Sequence, residues 1–315
     1  MKKYDVICMG LALVNFPIGP VDEMIFKQDV TQVGRMDLLP GGDAANQAIV
    51  LSKLGNKVAL VTRKGNDHWG TMLQGLLESY GENIDQAHIY TEENNVTGMC
   101  AMMLKPDGQR HFCIHRGSLL NISREDFPDE LLKETKILSI GGLMSLPKFD
   151  GKGSEELLKL AQRNGVKTVA DTKKDLWGIG LNGIKNTLAY LDYFFPSKEE
   201  AEEISGKNAP EEMAEVFLNA GVKHVGIKLG AQGCYYKDAV QEFYVQPIQT
   251  KAVDTTGAGD NFMSGFIQGI VKGWDERTCC EFASAAGAIA VSEIGPNTAV
   301  KNYEQVLGLM KGAYK

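Results

Sequence analysis

Val253-Asp254-Thr255-Thr256-Gly257-Ala258-Gly259-Asp260-Asn261-Phe262, followed by Met263-Ser264-Gly265-Phe266, reads as a strand end, a glycine-bracketed turn and the start of an amphipathic helix. Apolar residues recur at Phe262, Phe266 and Ile270, and again at Met263, Ile267 and Val271. That i, i+4 spacing stacks them on one helical stripe. Gly257 and Gly259 remove Cβ atoms where the helix begins, so unpaired backbone N–H groups there can closely approach an anion. Asp260 then falls in the first turn of a site otherwise suited to negative charge. Either it simply favours a helix start through the macrodipole, or the turn holds a phosphate and Asp260 handles a proton beside it. Local features leave both readings open.

At 315 residues, 43% hydrophobic and 23% charged, the chain can bury a substantial core as one large α/β domain or two ordinary ones. Disorder is not the default for such a composition. A net charge of −7 without a basic run argues against a nucleic-acid surface. A small anionic substrate remains compatible, because a local cluster of N–H groups and lysines overrides the overall sign. Cys8, Cys100, Cys113, Cys234, Cys279 and Cys280 form neither a CxxC pair nor a regular framework, and read as buried thiols in a reducing compartment. Lys2 and Lys3 precede an apolar run that Asp5 interrupts and Gly10 ends, too short for a signal peptide and better suited to a first strand. No stretch approaches transmembrane length. The expectation is a soluble, cytoplasmic protein with no membrane or nucleic-acid partner.

Along the chain, 4–9 is expected as a strand, and 11–39, with Pro17, Gly19, Pro20 and Gly34, as irregular or short β structure. Gly41-Gly42-Asp43-Ala44-Ala45-Asn46-Gln47-Ala48 opens a helix with Asp43 as a candidate N-cap and Gly55 as its stop. A strand at 57–62 and a helix at 67–80 ending at Gly81 follow. Residues 96–104 and 110–116 flank Lys105-Pro106-Asp107-Gly108, whose composition supplies hairpin-turn chemistry. Beyond this insertion, strands at 137–140, 166–171, 191–195 and 222–229 alternate with helices at 155–163, 198–204 and 210–219. Short strands at 234–237 and 242–245 precede the Gly257 helix, and helices at 276–291 and 303–311 close the chain. Such alternation implies a mainly parallel sheet with helices on both faces. No linker, repeat or low-complexity tract divides it. Residues 1–315 are therefore expected as one α/β domain, with a small β lid from 11–39 and 96–116. Ligands of such sheets sit outside the carboxyl ends of the strands, where Asp171, Lys228, Asp254 and the Gly257 turn are expected.

Two glycine motifs thus stand at opposite ends of one α/β chain, Gly41-Gly42-x-Ala44-Ala45-Asn46-x-Ala48 and Asp254-Thr255-Thr256-Gly257-Ala258-Gly259-Asp260-x-Phe262-x-x-Gly265-Phe266. Together they resemble the ribokinase-like (PfkB) carbohydrate kinase family over essentially the whole chain. The resemblance implies a three-layer α/β/α sandwich and ATP-dependent phosphorylation of a hydroxyl on a sugar-like substrate, with Mg²⁺ accompanying ATP. It makes Asp260 the base for the attacking hydroxyl, and Gly257, Ala258 and Gly259 the anion hole for the transferring phosphoryl group. Phosphoryl transfer needs little covalent help, so positioning and charge stabilisation do most of the work. Gly41, Gly42 and Asn46 match the sugar-binding turn, where an Asn amide can both donate to and accept from hydroxyls. Asp43 either binds a substrate hydroxyl or caps the helix.

Several positions depart from the family pattern. Asn15 stands where an aspartate usually meets substrate hydroxyls. The Asn-x-x-Glu motif appears as Ser197-Lys198-Glu199-Glu200, in which Glu200 is a water-mediated Mg²⁺ contact or part of a capping box with Ser197. Asp254 and Thr256 match positions that in relatives help hold a monovalent cation, here K⁺, with carbonyls of 290–299; Asp254 could equally cap its loop. Lys174, in Asp171-Thr172-Lys173-Lys174, is a candidate for an ATP phosphate or a solvated lysine. Lys228-Leu229-Gly230-Ala231-Gln232-Gly233 looks like the nucleotide-side turn. His111, Cys113 and His115 alternate on one lid strand; lacking a fourth ligand for zinc, that face with Arg116 is expected to overlook the substrate or a partner subunit. Open lid edges invite a homodimer.

A dinucleotide dehydrogenase fails for want of Gly-x-Gly-x-x-Gly after the first strand. A non-catalytic sugar sensor would be expected to lose the base or the anion-hole glycines, which this chain keeps. Nucleoside kinases and kinases of sugar acids such as keto-deoxy-gluconate are the alternatives within the family, with Arg116 or Lys173 meeting a carboxylate in the latter.

Overall fold

A strand covered on both faces runs apolar without alternation, and Tyr4–Gly10 (β1) is buried at all positions but one. The computed structural model describes residues 2–80, 83–106 and 109–314. After β1 come β2 (Leu13–Gly19), β3 (Arg35–Met36) and β4 (Leu39–Gly41), the short β structure expected there. α1 (Asp43–Lys53), β5 (Val58–Gly65) and α2 (His68–Tyr80) follow. Next are β6 (Ile84–Asp85), β7 (Ile89–Glu92), β8 (Met99–Leu104) and β9 (Arg110–His115). The alternating half begins with α3 (Leu131–Glu134), β10 (Thr135–Leu143), α4 (Lys152–Arg163) and β11 (Lys167–Thr172). It continues with α5 (Gly180–Leu188), β12 (Tyr193–Phe194), α6 (Lys198–Ser205), α7 (Pro210–Asn219) and β13 (His224–Lys228). β14 (Cys234–Asp238), β15 (Glu242–Val245), α8 (Ala258–Lys272), α9 (Glu276–Ala290) and α10 (Tyr303–Ala313) complete it.

The main sheet runs β15-β14-β13-β12-β11-β10-β1-β5-β6, with β7 also on β5. Its pairs are parallel except β13–β14 and β14–β15. Alternate residues of β1 feed two cores: Ile7 and Met9 pack with Leu157, Ile184 and Phe217, while Val6 and Cys8 pack with Ile49, Met263 and Ala283. Helices therefore cover both faces in an α/β/α arrangement. On α8, Met263, Phe266 and Ile267 are fully buried, each contributing about 1.5–3 kcal/mol relative to exposure. Gly265 and Gly269 let α9 close onto it: Cβ atoms there would stand 2.8 Å from Ala283 Cα and 2.5 Å from Cys279 Sγ.

A second sheet, β3-β2-β8-β9 with β4 on β2, forms the small β layer, its hairpin being the antiparallel β8–β9 pair. Asp107 and Gly108 of the expected turn, and the expected helix stop at Gly81, lie outside the described residues.

Four local expectations change. No strand precedes Gly257: after β15 the chain runs as a loop, and Val253 and Asp254 donate their N–H groups to Val291 O at 2.7 and 3.3 Å. Asp43 is the first helical residue rather than the N-cap, which is Gly42 at φ +93° with no side-chain cap bond. α5 was not anticipated, because Gly180 and Gly183 interrupt a short, weakly periodic segment. Cys113 is exposed, whereas the other five cysteines, Cys279 and Cys280 included, are buried.

Candidate active site

Glycines at the carboxyl ends of β1 and β10 let the start of α1 settle over the sheet. A Cβ at Gly10 would lie 2.2 Å from Gly141 O, and one at Gly141 2.6 Å from Ala44 N. α1 also packs along α8, so both glycine motifs begin helices at the same end of the sheet. Gly257 caps α8 at φ +73°, where a Cβ would meet Pro296 O at 2.3 Å. Only glycine satisfies both demands. Gly259 differs: a Cβ there would approach nothing closer than Lys228 Nζ, at 3.3 Å. The helix N-terminus therefore opens towards a lysine rather than towards backbone, a favourable setting for an anion. Gly259 and Lys228 line a cavity of about 270 Å³ that also takes in Gly230, Gly233, Phe262, Ile248 and Val291.

Beside this cavity lies a buried acidic group. Asp260 Oδ2 accepts from Asn46 Nδ2 at 2.7 Å, linking the two motifs directly. Burial pushes the Asp260 carboxyl well above the ordinary carboxylate range, and nearby Asp43 adds to this, against the pull of Lys173 and the Asn46 bond. Lys173 Nζ pairs with Asp43 Oδ1 at 2.8 Å, and Asp43 holds the ammonium above its usual range. Asp171, at the end of β11, accepts from Gly142 N at 2.9 Å and Gln47 Nε2 at 3.2 Å. Its burial raises it to about 6 against the opposing charge of Lys228. Asp43 Oδ2 is buried beside Gly142 without a hydrogen-bond partner, an acceptor left unused within the protein.

The far wall comes from the small sheet and the loop after β10. Asn15 is buried against Gly41, where a Cβ would collide with its Nδ2 at 1.9 Å. Arg116 Nη1 donates to Ser145 O at 3.2 Å, within electrostatic reach of Asp43 and Asp150. Asp150, pushed by burial up to about 7, accepts from Met144 N at 3.0 Å and Leu146 N at 2.7 Å. Met144 has φ +69° and is the single non-glycine residue with positive φ among the described residues, so local strain is held in the turn after β10. From above, Arg110 donates to Thr255 Oγ1 and Thr256 Oγ1 contacts Met102 Sδ at 3.0 Å.

A glycine-capped helix start, a basic partner and a buried carboxylate lie side by side, an arrangement suited to phosphoryl transfer. The model of the pfkB family carbohydrate kinase matches residues 3–302. The chain belongs to this family. It is a sugar kinase, a phosphotransferase with an alcohol group as acceptor. Similar proteins include 2-dehydro-3-deoxygluconokinase of Bacillus subtilis, 25% identical over 278 residues covering 85% of this chain and 86% of that one. Ribokinase of Haemophilus influenzae is 27% identical over 285 residues, 87% of this chain and 88% of its own. In fold, the chain resembles a putative ribokinase II from E. coli solved with ATP and Mg²⁺, at TM-score 0.84 and 24% identity, covering 98% and 99% of the two chains.

Set in this kinase, the expected site residues divide. Asn46 meets Asp260 directly, Asn15 lies against Gly41, and Asp43 follows Gly42 at the start of α1; Ala258 and Gly259, beside the Gly257 cap, line one cavity together with Lys228, Gly230 and Gly233. Lys174 is exposed, and Lys173 rather than Lys174 reaches the acidic group. Ser197 and Glu200 form the reciprocal capping box, with Glu200 Oε2 accepting from Ser197 N at 2.8 Å. Asp254 uses both oxygens on the loops, accepting from Thr256 N at 2.9 Å, Thr256 Oγ1 at 2.6 Å and Gly295 N at 3.0 Å. His111, Cys113 and His115 share a strand face, but no His/Cys/Asp/Glu group suited to a metal occurs among the described residues. The opposite face of β9 carries Arg110, Phe112 and Ile114, which stand across from Leu104, Met102 and Cys100 of β8, and there Phe112 and Ile114 stay exposed. Sequence reasoning missed Arg110, Asn261 and Asn297. Asn261 follows Asp260 at the start of α8 and Asn297 follows Pro296 in a loop, where no periodicity marks them.

Proposed function

We propose that this kinase phosphorylates a sugar hydroxyl placed between the start of α1 and the small sheet, with Asp260 as the proton acceptor. The contact that carries this reading is the 2.7 Å bond from Asn46 to Asp260, which joins the sugar-side turn to the phosphate-side turn. A carboxylate whose affinity for protons is raised by burial is a stronger base than a solvated one, the property required to take a hydroxyl proton during attack. Asp43, Asn15 and Asn46 hold the sugar, Gly41 and Gly42 let it approach the backbone, and Lys173 fixes the Asp43 carboxylate by its ion pair.

The residues present fit ATP and Mg²⁺: the cavity is lined by Lys228 and the cradle at Gly259 that a Cβ would fill. When bound, the nucleotide supplies the phosphoryl group and its metal neutralises phosphate charge. Gly257, Ala258 and Gly259 at the helix start, with Lys228, stabilise negative charge there; Gly230 and Gly233 shape the nucleotide side. Glu200, within electrostatic reach of Lys173, is the water-mediated Mg²⁺ contact in this reading. For K⁺, Asp254 and Thr256 act as ties between loops, leaving carbonyls of 290–299 as the cation's ligands; exchange of K⁺ for choline tests this.

One observation favours a sugar acid as a second reading. Arg116 and Lys173 both stand beside Asp43, two cations on the sugar side that a substrate carboxylate would meet. Residues 1–315 act as one kinase domain with 11–39 and 96–116 as its lid, and the exposed Phe112, Ile114 and Met36 on lid edge strands support a homodimer through it. The six unpaired cysteines support a cytoplasmic location, and no helix among the described residues is long and apolar enough to cross a membrane.

The test is a coupled ADP-release screen with MgATP over 2-dehydro-3-deoxygluconate, 5-dehydro-2-deoxygluconate, D-fructose, D-ribose and adenosine. Turnover of a sugar or sugar acid that Asp260→Asn abolishes is the expected result. Tight binding without turnover of any acceptor, or unchanged turnover in Asp260→Asn, would overturn the reading.

A further inference from the structure

The turn Gly295-Pro296-Asn297 follows α9 and belongs to neither glycine motif, yet it is wedged between both. Gly295 N donates to Asp254 Oδ2 at 3.0 Å, and Pro296 O accepts from Asn261 Nδ2 at 2.7 Å. Asn297 O accepts from Lys53 Nζ at 2.6 Å. Held in this way, the Asn297 amide is almost fully buried and donates from Nδ2 to Pro40 O at 3.2 Å and to Asn46 Oδ1 at 3.0 Å. Both partners are acceptors, so the orientation of this amide is determined by its surroundings. Its own Oδ1 is left without a partner, a cost that persists only where the donated bonds are needed.

The consequence falls on Asn46. An asparagine amide can present either its oxygen or its NH₂ to a neighbour. With Asn297 occupying Oδ1, the NH₂ end must face Asp260, where it donates at 2.7 Å. Rotated the other way, the amide would set its oxygen against a carboxylate oxygen, an arrangement tolerated only if Asp260 is protonated and so unable to accept a proton. We propose that Asn297 is a positioning residue for the proton acceptor: by fixing which end of the Asn46 amide faces Asp260, it favours the ionised form of that carboxylate. The inference deepens the reading of Asp260 as the base and rests on it. Other charges facing Asp260 are Asp43 from α1, Asp171 and Lys173 from β11 and the residue after it, and Lys228 at the end of β13. None of these touches Asn297 directly, so changing Asn297 alters one influence on Asp260 and leaves those charges in place.

The test reads Asp260 without a sugar, so its failure is separable from failure of the substrate screen. The full chain is labelled with [¹³C]carboxyl-aspartate and titrated by NMR, with the Asp260 signal assigned by its loss in Asp260→Asn. Asn297→Leu keeps size and removes the donor, and Asn297→Ala serves if the leucine variant does not fold. The expected result is an upward move of the Asp260 midpoint by roughly one pH unit, the scale of a hydrogen bond to a charged group. Asn46→Leu should move it similarly, and adding Asn297→Leu to Asn46→Leu should move it no further, since the effect acts through Asn46. An unchanged midpoint in Asn297→Leu, or a shift that persists undiminished in the Asn46→Leu background, overturns the proposal.

Discussion

Two aspartates occupy parallel places in this kinase and are held in opposite ways. Asp43 and Asp260 each lie in the first turn of a buried helix that follows a positive-φ glycine, Gly42 at +93° and Gly257 at +73°. Asp43 is met by an ammonium at 2.8 Å. Asp260 is met only by the NH₂ of an amide, and Asp43 itself is among the charges that disfavour its ionisation. A carboxylate paired with a cation is a fixed acceptor suited to holding hydroxyls. One supported by a neutral donor beside a like charge is poised to take up a proton. The difference teaches that the helix start alone does not decide an aspartate's task; its first neighbour does.

The comparison breaks most readily at Asp260. Asp260→Asn is expected to lower kcat by about 10²–10⁴-fold, the usual worth of a positioned base, with the sugar KM changed little. Steady-state kinetics on the best acceptor from the screen checks both numbers. Asp43→Asn should do the reverse: a KM for the sugar raised about 10-fold or more, the scale of a hydrogen bond to a charged group, with a smaller loss in kcat.

The glycines sharpen the contrast between a fold requirement and a ligand requirement. Gly257→Ala forces a Cβ towards Pro296 O, 2.3 Å away, at a left-handed φ. It should cost at least about 1–3 kcal/mol and lower the thermal midpoint. Gly259→Ala meets only the end of a flexible lysine at 3.3 Å, so its melting should stay near the parent's while the KM for ATP rises. Equal melting losses in the two variants would remove the distinction.

The smallest expected effect is on stability. Because the folded state raises the Asp260 carboxyl above its unfolded-chain value, the folded protein binds the extra proton more tightly. Ionisation at Asp260 therefore costs stability as pH rises out of the acid range through that raised value. Asp260→Asn removes this loss, and the variant should melt about 2 °C higher than the parent at neutral pH and no higher at acid pH. A calorimetric series across pH checks the sign.

The alternation of strands and helices, the buried stripe of α8, the β8–β9 hairpin and the two glycine turns were all readable from residue order. Each is local: period, turn chemistry and missing Cβ atoms act within a few positions. The family resemblance could likewise be read from the two motifs, and Asp260 with it. Contacts closed across the chain could not. That Asn46 spends its amide on Asp260, that Lys173 rather than Lys174 reaches Asp43, and that Asp254 ties two loops together depend on residues far apart in the sequence. Lys173 and Lys174 are adjacent and chemically identical, and only the direction in which the chain leaves β11 separates them. Asn297 carries no pattern at all in its loop, yet packing places it against the amide that faces Asp260. The sequence by itself determined most of the strands and helices and singled out Asp260 as the candidate base. Tertiary structure decided how that carboxylate is tuned, because burial and the nearest charge set its affinity for a proton, and both come from distant segments brought within hydrogen-bonding range.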